Sequence, residues 1–385
     1  MLRSSLRTSC VLALSISLAG VVAGCGDLII PAQADGGNET DGAPLEDGGG
    51  TTDGGATDAP GTLDASDGGL DCADAAAGHP TQLGCTGLYS DWGKRTISSD
   101  AKPFDPGLHL WSDGAEKFRY VYLPPATKID TTDLNEWKFP VGTKFWKEFR
   151  LLGKKVETRF LWKIAPQTWF RTTYEWSDDE TTATEVVGGR TNVRGIGYEI
   201  PSTDVCASCH AGRTDFILGF ELVSLAQSTS AGLNLAALKT QALLTNAPTN
   251  TPVLPTLTST DTLTPAAFGF LHSNCGTACH NRSPSSFAGA TGLFMRLEVD
   301  ATGALPSDAK LTDTYKTSVG VTSNFTPIGL PAGSFMRVRP HDPSTSAIPY
   351  RDGRRDGVVQ MPPLASHLVD FDDVKRVIDW INSLP

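Results

Sequence analysis

The organisation of the chain follows from one short stretch, Cys206-Ala207-Ser208-Cys209-His210. A second stretch, Cys275-Gly276-Thr277-Ala278-Cys279-His280, repeats the pattern with one extra residue between the cysteines. Strand patterns precede the first stretch, and helix patterns surround the second. The sequence therefore predicts an α+β fold, with an antiparallel β-rich domain over residues 85–230 and a mostly α-helical domain over residues 231–385.

Residues 86–200 contain segments with the alternation of side chains that is typical of strands. Segments 145–152 and 156–164 are predicted to form a hairpin with Gly153-Lys154 at its turn, and 117–123 a further strand. The aromatic residues of this region are expected to form the core of a sheet with one half-solvated face. The alternative is a surface that binds a cofactor or a sugar, and its candidates are Trp137, Trp146, Trp162, Trp169 and Trp176.

Helix signals surround the second cysteine-containing stretch. Thr264-Pro265 predicts the N-cap and first residue of a helix that covers 266–272 and leads into that stretch. Asp370 and Asp373 resemble a capping box at the start of a C-terminal helix. The apolar stripe of this helix is expected to pack in the core and consists of Val374, Val377, Ile378 and Ile381.

The pattern Cys-x-x-Cys-His is the attachment signature of a c-type haem. Two thiols add to the vinyl groups of the haem, and the adjacent histidine binds the iron. A redox-active or zinc-binding cysteine pair is the alternative at the first stretch, and a disulfide is the alternative at the longer second one. The sequence predicts two covalently attached haem c groups, held by Cys206, Cys209, His210, Cys275, Cys279 and His280.

Met361 is the predicted sixth ligand of the iron that His280 binds. It stands in Gln360-Met361-Pro362-Pro363-Leu364, where the prolines stiffen an extended backbone that presents the thioether. Met336 and Met295 are rival ligands. A methionine packed in the core is the alternative role for Met361.

The iron predicted at His210 has no methionine before it in the mature chain. Its sixth ligand is expected to be a histidine, a methionine from the other domain, or absent. His109 and His272 are the histidine candidates, although lone histidines are usually structural or solvated. An open iron would be a place for chemistry as well as electron transfer.

Residues 1–24 have the basic start and short apolar run of a signal peptide and end in Val22-Ala23-Gly24 before Cys25. This ending resembles the lipobox of bacterial lipoproteins, which implies cleavage before Cys25 and lipidation of its sulfur. An ordinary secretory signal is the alternative. Lipidation would hold the protein in the cell envelope, on a membrane and facing the periplasm or the cell surface.

Residues 25–84 are predicted to be a disordered, acidic tether rich in Gly and Asp. The chain has a formal charge of -11. Residues 26–84 contain twelve Asp and Glu residues and no Lys or Arg, so the remainder is almost neutral and unsuited to binding nucleic acid. A calcium-binding Asp/Gly repeat is the alternative, but its spacing is irregular. Cys72 and Cys85 are predicted to form a disulfide where the tether meets the fold, or else to be free thiols.

Six strings resemble, in order, a family of bacterial di-haem c-type cytochromes over residues 88–385. The resemblance implies haem c at both cysteine pairs, with His210 and His280 as proximal ligands. The order of second motif, Met361 and terminal helix resembles a class I cytochrome, which implies a cytochrome c-like fold for residues 231–385. The strings are Trp-Ser-Asp-Gly-Ala-Glu-Lys at 111–117, Trp-Lys-Phe-Pro-Val-Gly-Thr at 137–143, Glu-Thr-Arg-Phe-Leu at 157–161, Ile-Pro-Ser at 200–202, Phe-Leu-His-Ser-Asn at 270–274 and Met-Pro-Pro-Leu at 361–364.

The predicted function is electron transfer by an exported, membrane-tethered di-haem cytochrome whose partners are redox proteins of the cell envelope. One alternative is a haem enzyme, peroxidase-like or handling nitrogen oxides, that uses an open first haem. Another is a surface binding lipoprotein. Catalysis is uncertain, and no catalytic residue is predicted. Residues 351–355 are expected to be a solvated basic loop, or to pair with a haem propionate or an acidic partner.

Overall fold

A computed structural model describes residues 70–385 of the chain. The predicted signal peptide, Cys25 and most of the predicted tether lie outside the described residues. The described residues belong to one compact unit that combines helices with antiparallel strands, and the boundary predicted at residue 230 falls inside it. No helix of this part combines the length and apolar character needed to cross a membrane.

The strands of residues 70–385 pair antiparallel with one another. In chain order they are β1 (Tyr89–Asp91), β2 (Thr96–Ile97), β3 (Lys102–Asp105), β4 (Glu116–Tyr122), β5 (Lys144–Leu151), β6 (Lys154–Ala165), β7 (Thr168–Trp176), β8 (Ala183–Glu185), β9 (Arg190–Val193), β10 (Tyr198–Ile200) and β11 (Ala231–Gly232). Seven of them form one sheet in the order β11-β3-β4-β5-β6-β7-β8, and the others form the pairs β1-β2 and β9-β10.

The α-helices of the described residues are short, apart from the last, and loops connect them. They are α1 (Ala73–Ala76), α2 (Cys206–His210), α3 (Leu222–Leu225), α4 (Leu235–Thr240), α5 (Leu263–Leu271), α6 (Asp313–Ser318), α7 (Ala347–Asp352) and α8 (Phe371–Ser383). The described part is thus a mixed α+β structure. Of these α-helices, α1 comes before the first motif, α2 contains it, and the others follow it.

The hairpin predicted in the β-rich part is formed by β5 and β6, but its turn is Leu152-Gly153. Both turn residues have positive φ, 51° and 75°, as a two-residue type I′ turn requires. Lys154 pairs with Leu151 and belongs to β6. The predicted turn Gly153-Lys154 is therefore wrong by one residue, because a leucine in the left-handed region is rare and gives no signal in the sequence.

Both faces of the large sheet are covered by apolar side chains. Trp146 and Phe160 lie on one face and pack with Leu83, which belongs to the segment before β1. Phe145 and Trp169 lie on the other face and pack with residues that follow the first motif. The expectation of a half-solvated face is wrong, because the segment before β3 folds back over the sheet.

The N-terminal segment that covers the sheet includes residues 70–84, which the sequence predicts to be the end of the disordered tether. Cys72 and Cys85 form a disulfide, and α1 and a 3-10 turn, Leu83–Thr86, lie beside it. Leu83 is completely buried. These residues are therefore part of the fold, held by the disulfide and by Leu70 and Leu83, which pack against the sheet.

One apolar cluster joins the parts of the chain before and after residue 230. Phe220 packs against Phe104 of the sheet, and the same cluster includes Phe268 of α5 and Trp380 of α8. The rings of Phe268 and Trp380 are 5.3 Å apart. Because these side chains share one core, the two cysteine motifs are held in a fixed relation to the sheet.

Capping residues in the sequence predict where α5 and α8 begin. Asp370 caps α8 as expected, since its carboxylate accepts a hydrogen bond from the Asp373 N–H at 3.1 Å. The cap of α5 is different: the carboxylate of Asp261 accepts from the N–H groups of Leu263 and Thr264 at 3.0 Å. Thr264 therefore lies inside the helix, because an aspartate that precedes it satisfies the free N–H groups better.

Candidate functional site

The first motif occupies a short helix at the end of the β-rich part. A 3-10 turn, Thr203–Val205, leads directly into α2, which contains all five motif residues. Residues three apart on an α-helix lie on the same side, so Cys206 and Cys209 present their sulfur atoms together. Both are free thiols. They line one cavity with His210.

The ring of His210 is oriented by the loop that follows α2. Its Nδ1 atom is hydrogen-bonded to the carbonyl oxygen of Phe216. Burial lowers the pKa of His210 to about 4, so the imidazole is neutral at pH 7. A neutral ring that donates through Nδ1 keeps the lone pair of Nε2 available for a metal.

The second motif follows α5 through a wider helical turn. Residues His272–Gly276 form a π-helical turn in which the Thr277 N–H donates to the His272 carbonyl at 2.9 Å. The His280 N–H donates to the Cys275 carbonyl, again five residues back, at 2.8 Å. A π turn contains one residue more than an α turn, and it often marks a functional site. The extra residue of the second motif is accommodated in this way.

The ring of His280 has the same arrangement as that of His210. Its Nδ1 atom lies 3.2 Å from the carbonyl oxygen of Leu293, and burial lowers its pKa to about 4. Cys275 and Cys279 are free thiols and line a cavity with it. Both motifs therefore provide two thiols and one neutral imidazole with Nε2 available.

The cavity of the second motif is the larger of the two. Its volume is about 150 Å³, against about 80 Å³ for the cavity beside His210. Met361 and Met295 line the cavity of His280, whereas Met336 is not among its lining residues. The structure thus brings together His280, the predicted ligand Met361 and one of the two rival methionines.

The backbone of Met361 is fixed on the end of α7. Its N–H donates to the carbonyl of Arg351 at 3.1 Å, and Arg355 donates to its carbonyl at 3.2 Å. Arg351 itself lines the cavity. The expectation of a freely solvated basic loop at 351–355 is therefore wrong, since these arginines hold the methionine segment.

Neither histidine proposed as a sixth ligand for the first iron lines the cavity of His210. His272 is fully buried and uses both nitrogens: Nε2 is 3.3 Å from Glu221, and Nδ1 accepts the Leu297 N–H at 2.9 Å. His109 is exposed and pairs with Asp105 at 3.2 Å. Both assignments fail, because each ring serves a structural contact elsewhere. No second histidine and no methionine is among the described residues that line this cavity.

A row of cationic side chains crosses the sheet, and its end at Arg159 lies beside the first motif. Arg119, Lys147 and Arg159 are directly opposite one another on β4, β5 and β6. Burial lowers the pKa of Lys147 to about 7, and the two neighbouring guanidinium groups act in the same direction. Arg159 and Arg171 line the cavity. Sequence reasoning missed this row, because it becomes visible only when the register of three strands is known.

The two motifs touch each other. The thiols of Cys209 and Cys279 lie close enough to interact, which lowers the pKa of Cys209 to about 7 and raises that of Cys279. Behind them, Gly212 lies against the carbonyl of Ala278, where a Cβ atom would be 1.9 Å from the oxygen. Only glycine allows the two segments to approach this closely.

A shared carboxylate fixes the same two segments. Glu136 pairs with Arg213 at 3.8 Å and, at closer range, with Arg296. Arg213 follows the first motif, and Arg296 lies beside the second, where Gly276 packs on its backbone. Burial raises the pKa of Glu136, but the two guanidinium groups prevail and hold it below its usual value.

The residues of both cavities are suited to covalent haem. Each cavity has two thiols, a neutral imidazole and arginines that can pair with propionates: Arg171 at the first, and Arg337 and Arg351 at the second. Arg159 also lines the first cavity, but its guanidinium group is already paired with Glu157 at 2.7 Å. Within residues 70–385, no group of three or more His, Cys, Asp and Glu side chains is arranged to hold a bare metal ion.

Comparisons with family models, with curated proteins and with solved structures found no match for this chain.

Proposed function

We propose that the protein is an exported di-haem c-type cytochrome, tethered to a membrane by lipid on Cys25, that transfers electrons between redox proteins of the cell envelope. One observation carries this proposal. At each motif two free thiols and a neutral imidazole with its Nδ1 atom engaged line one cavity. A cytochrome c-like arrangement of the C-terminal part, with His280 and Met361 on one iron, belongs to the same proposal.

The chemistry of attachment needs only groups that the chain provides. Each S–H adds across one vinyl C=C bond of haem: sulfur bonds to one carbon and hydrogen to the other, and no electrons are gained or lost. Small residues between the cysteines, Ala207 and Ser208 in the first motif, leave room for the porphyrin edge. The haem, once bound, supplies an iron that alternates between two oxidation states.

The protein residues then set the properties of that iron. The carbonyl oxygens of Phe216 and Leu293 orient the imidazoles of His210 and His280 and increase their basicity. Met361 offers a thioether to the second iron, and a His/Met ligand pair raises the reduction potential.

The proposal is tested by counting haems in variants of the mature protein, produced in a host that assembles c-type cytochromes. Replacing Cys206 and Cys209 with Ser is expected to remove one haem, and replacing Cys275 and Cys279 the other. The Cys72→Ser, Cys85→Ser variant is the matched control and is expected to retain both. A pyridine haemochrome spectrum and an intact mass measure the outcome. Variants that all bind the same amount of haem as the unaltered protein would contradict the proposal.

The membrane tether is tested separately, because it rests on the sequence alone. Cys25→Ser removes the sulfur that would carry the lipid. The variant is expected to lose membrane association while its haem spectrum is unchanged. Retention of the variant in the membrane fraction would contradict lipidation at this position.

A haem enzyme remains the second candidate, and one observation favours it. The described residues that line the cavity of His210 include no histidine or methionine besides His210 itself, whereas Arg159 and Arg171 are present. An iron open on one side and beside cationic groups is suited to small anions. A high-spin signal from one haem, with carbon monoxide or an anion binding to it, supports the enzyme; two low-spin haems that bind neither support the carrier.

A further inference from the structure

We propose that Cys209 and Cys279 form a junction between the two haem groups, so that the haems make up one electronically coupled pair. This inference rests on the proposed function. It goes beyond that function because two haems on one chain can equally lie far apart and exchange electrons only through partners.

Cys209 and Cys279 lie close to each other although they come from different motifs, 70 residues apart in sequence. The backbone beside them shows the same approach, because Gly212 lies against the carbonyl of Ala278. In haem c the cysteine sulfur bonds directly to a carbon attached to the porphyrin ring. Sulfur atoms held this close would therefore place the edges of the two porphyrins next to each other.

The backbone behind the sulfur atoms is closely packed. Gly212 lies against Ala278 and Asn281, and any larger residue would overlap the Ala278 carbonyl. The side chain of Asn281 donates to the Gly276 carbonyl at 2.8 Å, which fixes the loop of the second motif from inside. The approach of the two motifs is thus a packed interface and not a chance contact of side chains.

Buried ion pairs also hold the two segments together. The carboxylate of Glu136 pairs with one guanidinium group from each segment, those of Arg213 and Arg296. Both arginines also donate hydrogen bonds to the carbonyl oxygen of Asn135. The charges are largely buried, so separating the segments would leave them without partners at considerable cost. The junction is held on one side by close packing and on the other by this shared carboxylate.

Electronic coupling is measured by circular dichroism in the Soret region. Two porphyrins in a fixed, close arrangement give a couplet of opposite signs, whereas isolated porphyrins give single bands. The unaltered protein is expected to show a couplet. In Gly212→Ala the added methyl group must push the motifs apart, so the couplet is expected to weaken while both haems stay bound. Gly188→Ala, where a Cβ meets nothing within 4 Å, is the matched control and is expected to leave the couplet unchanged.

The outcomes separate this inference from the proposed function. Two haems per chain without a couplet in the unaltered protein overturn the junction and leave the cytochrome assignment intact. A couplet that Gly212→Ala does not alter overturns the role given to Cys209 and Cys279, and so does a single bound haem. Absence of any haem overturns the proposed function itself. If Gly212→Ala does not fold, Glu136→Gln, which removes the charge shared by the two arginines, is expected to weaken the couplet instead.

Discussion

The Nδ1 atom of His280 lies 3.2 Å from the carbonyl oxygen of Leu293. This contact fixes the ring so that only Nε2 is available to a ligand in the cavity, which Met361 also lines. An iron bound there by His280 would have a thioether within its surroundings and a hydrogen-bonded imidazole. The identity of the second axial ligand is therefore open to a direct test.

Met361→Leu is expected to lower the reduction potential of one haem and to abolish its methionine-to-iron charge-transfer band. The reason is that a thioether ligand favours the reduced iron, and leucine has the same bulk without the sulfur. Potentiometric titration followed by absorption measures both effects. Met295→Leu, in the same cavity, is the control; a loss of the band in this variant instead of Met361→Leu would assign the ligand to Met295.

Gly276→Ala is expected to destabilise the protein by about 1–3 kcal/mol and to reduce haem at the second motif, because the loop becomes overpacked. An added Cβ would lie 2.4 Å from the backbone nitrogen of Arg296. Denaturant unfolding and the haem content measure the result. At Gly93 the nearest atom to a Cβ is 3.5 Å away, so Gly93→Ala should be almost neutral. Equal stability of both variants would show that the close packing at Gly276 is not needed.

Asp352 is expected to make the free energy of unfolding depend on pH. It lines the cavity of His280, is 8% exposed, and has a carboxyl oxygen without a hydrogen-bond partner. Burial raises its pKa from 3.8 to about 7, with Arg355 opposing and Asp370 and Asp373 assisting. Since the native state binds more protons than the unfolded state between these values, the free energy of unfolding falls as the pH rises from about 4 to about 7.

Asp352→Asn keeps the shape of the neutral acid and is expected to remove this loss. The variant should match the unaltered protein at pH 4 and exceed it by up to about 4 kcal/mol at pH 8. Denaturant unfolding of the reduced protein across this range gives the comparison. Asp100→Asn, an exposed position, should follow the unaltered protein. If the free energy of unfolding varies with pH in the same way in all three proteins, Asp352 is not the group responsible.

The disulfide between Cys72 and Cys85 closes a loop with a sequence separation of 13 residues. Replacing both cysteines with Ser is expected to lower the free energy of unfolding by about 3 kcal/mol, because the unfolded chain gains freedom. The haem spectrum should not change, since the bridge lies on the far face of the sheet. Unfolding curves with and without a reductant check this, and a curve that the replacement leaves unaltered would contradict it.

Much of the β-rich part could be predicted from the sequence, because a period of two side chains is a strong signal. The strands at 117–123 and 156–164 correspond to β4 and β6, and the hairpin was one residue out because Leu152 adopts a conformation that leucine rarely takes. Local capping was less reliable: Asp370 was identified, but Asp261 competes with Thr264 for the start of α5.

The relations within the candidate site could be predicted only in part. The motifs and Met361 stand out by residue type and order. The contact of Cys209 with Cys279 depends on how the whole chain packs, so no local pattern reveals it. The cationic row through Lys147 depends on strand register in the same way. The sequence offers His272 as a possible ligand, but its ring pairs with Glu221 and so serves a structural contact.

The intact mass of the purified mature protein shows whether haem is covalently attached at both motifs. The chain is expected to be heavier than its lipidated polypeptide by two haem groups, which remain bound after denaturation and acid extraction, with no free thiol at residues 206, 209, 275 or 279. A colourless chain at the mass of the polypeptide, with these four thiols open to alkylation after maturation in a competent host, would contradict it.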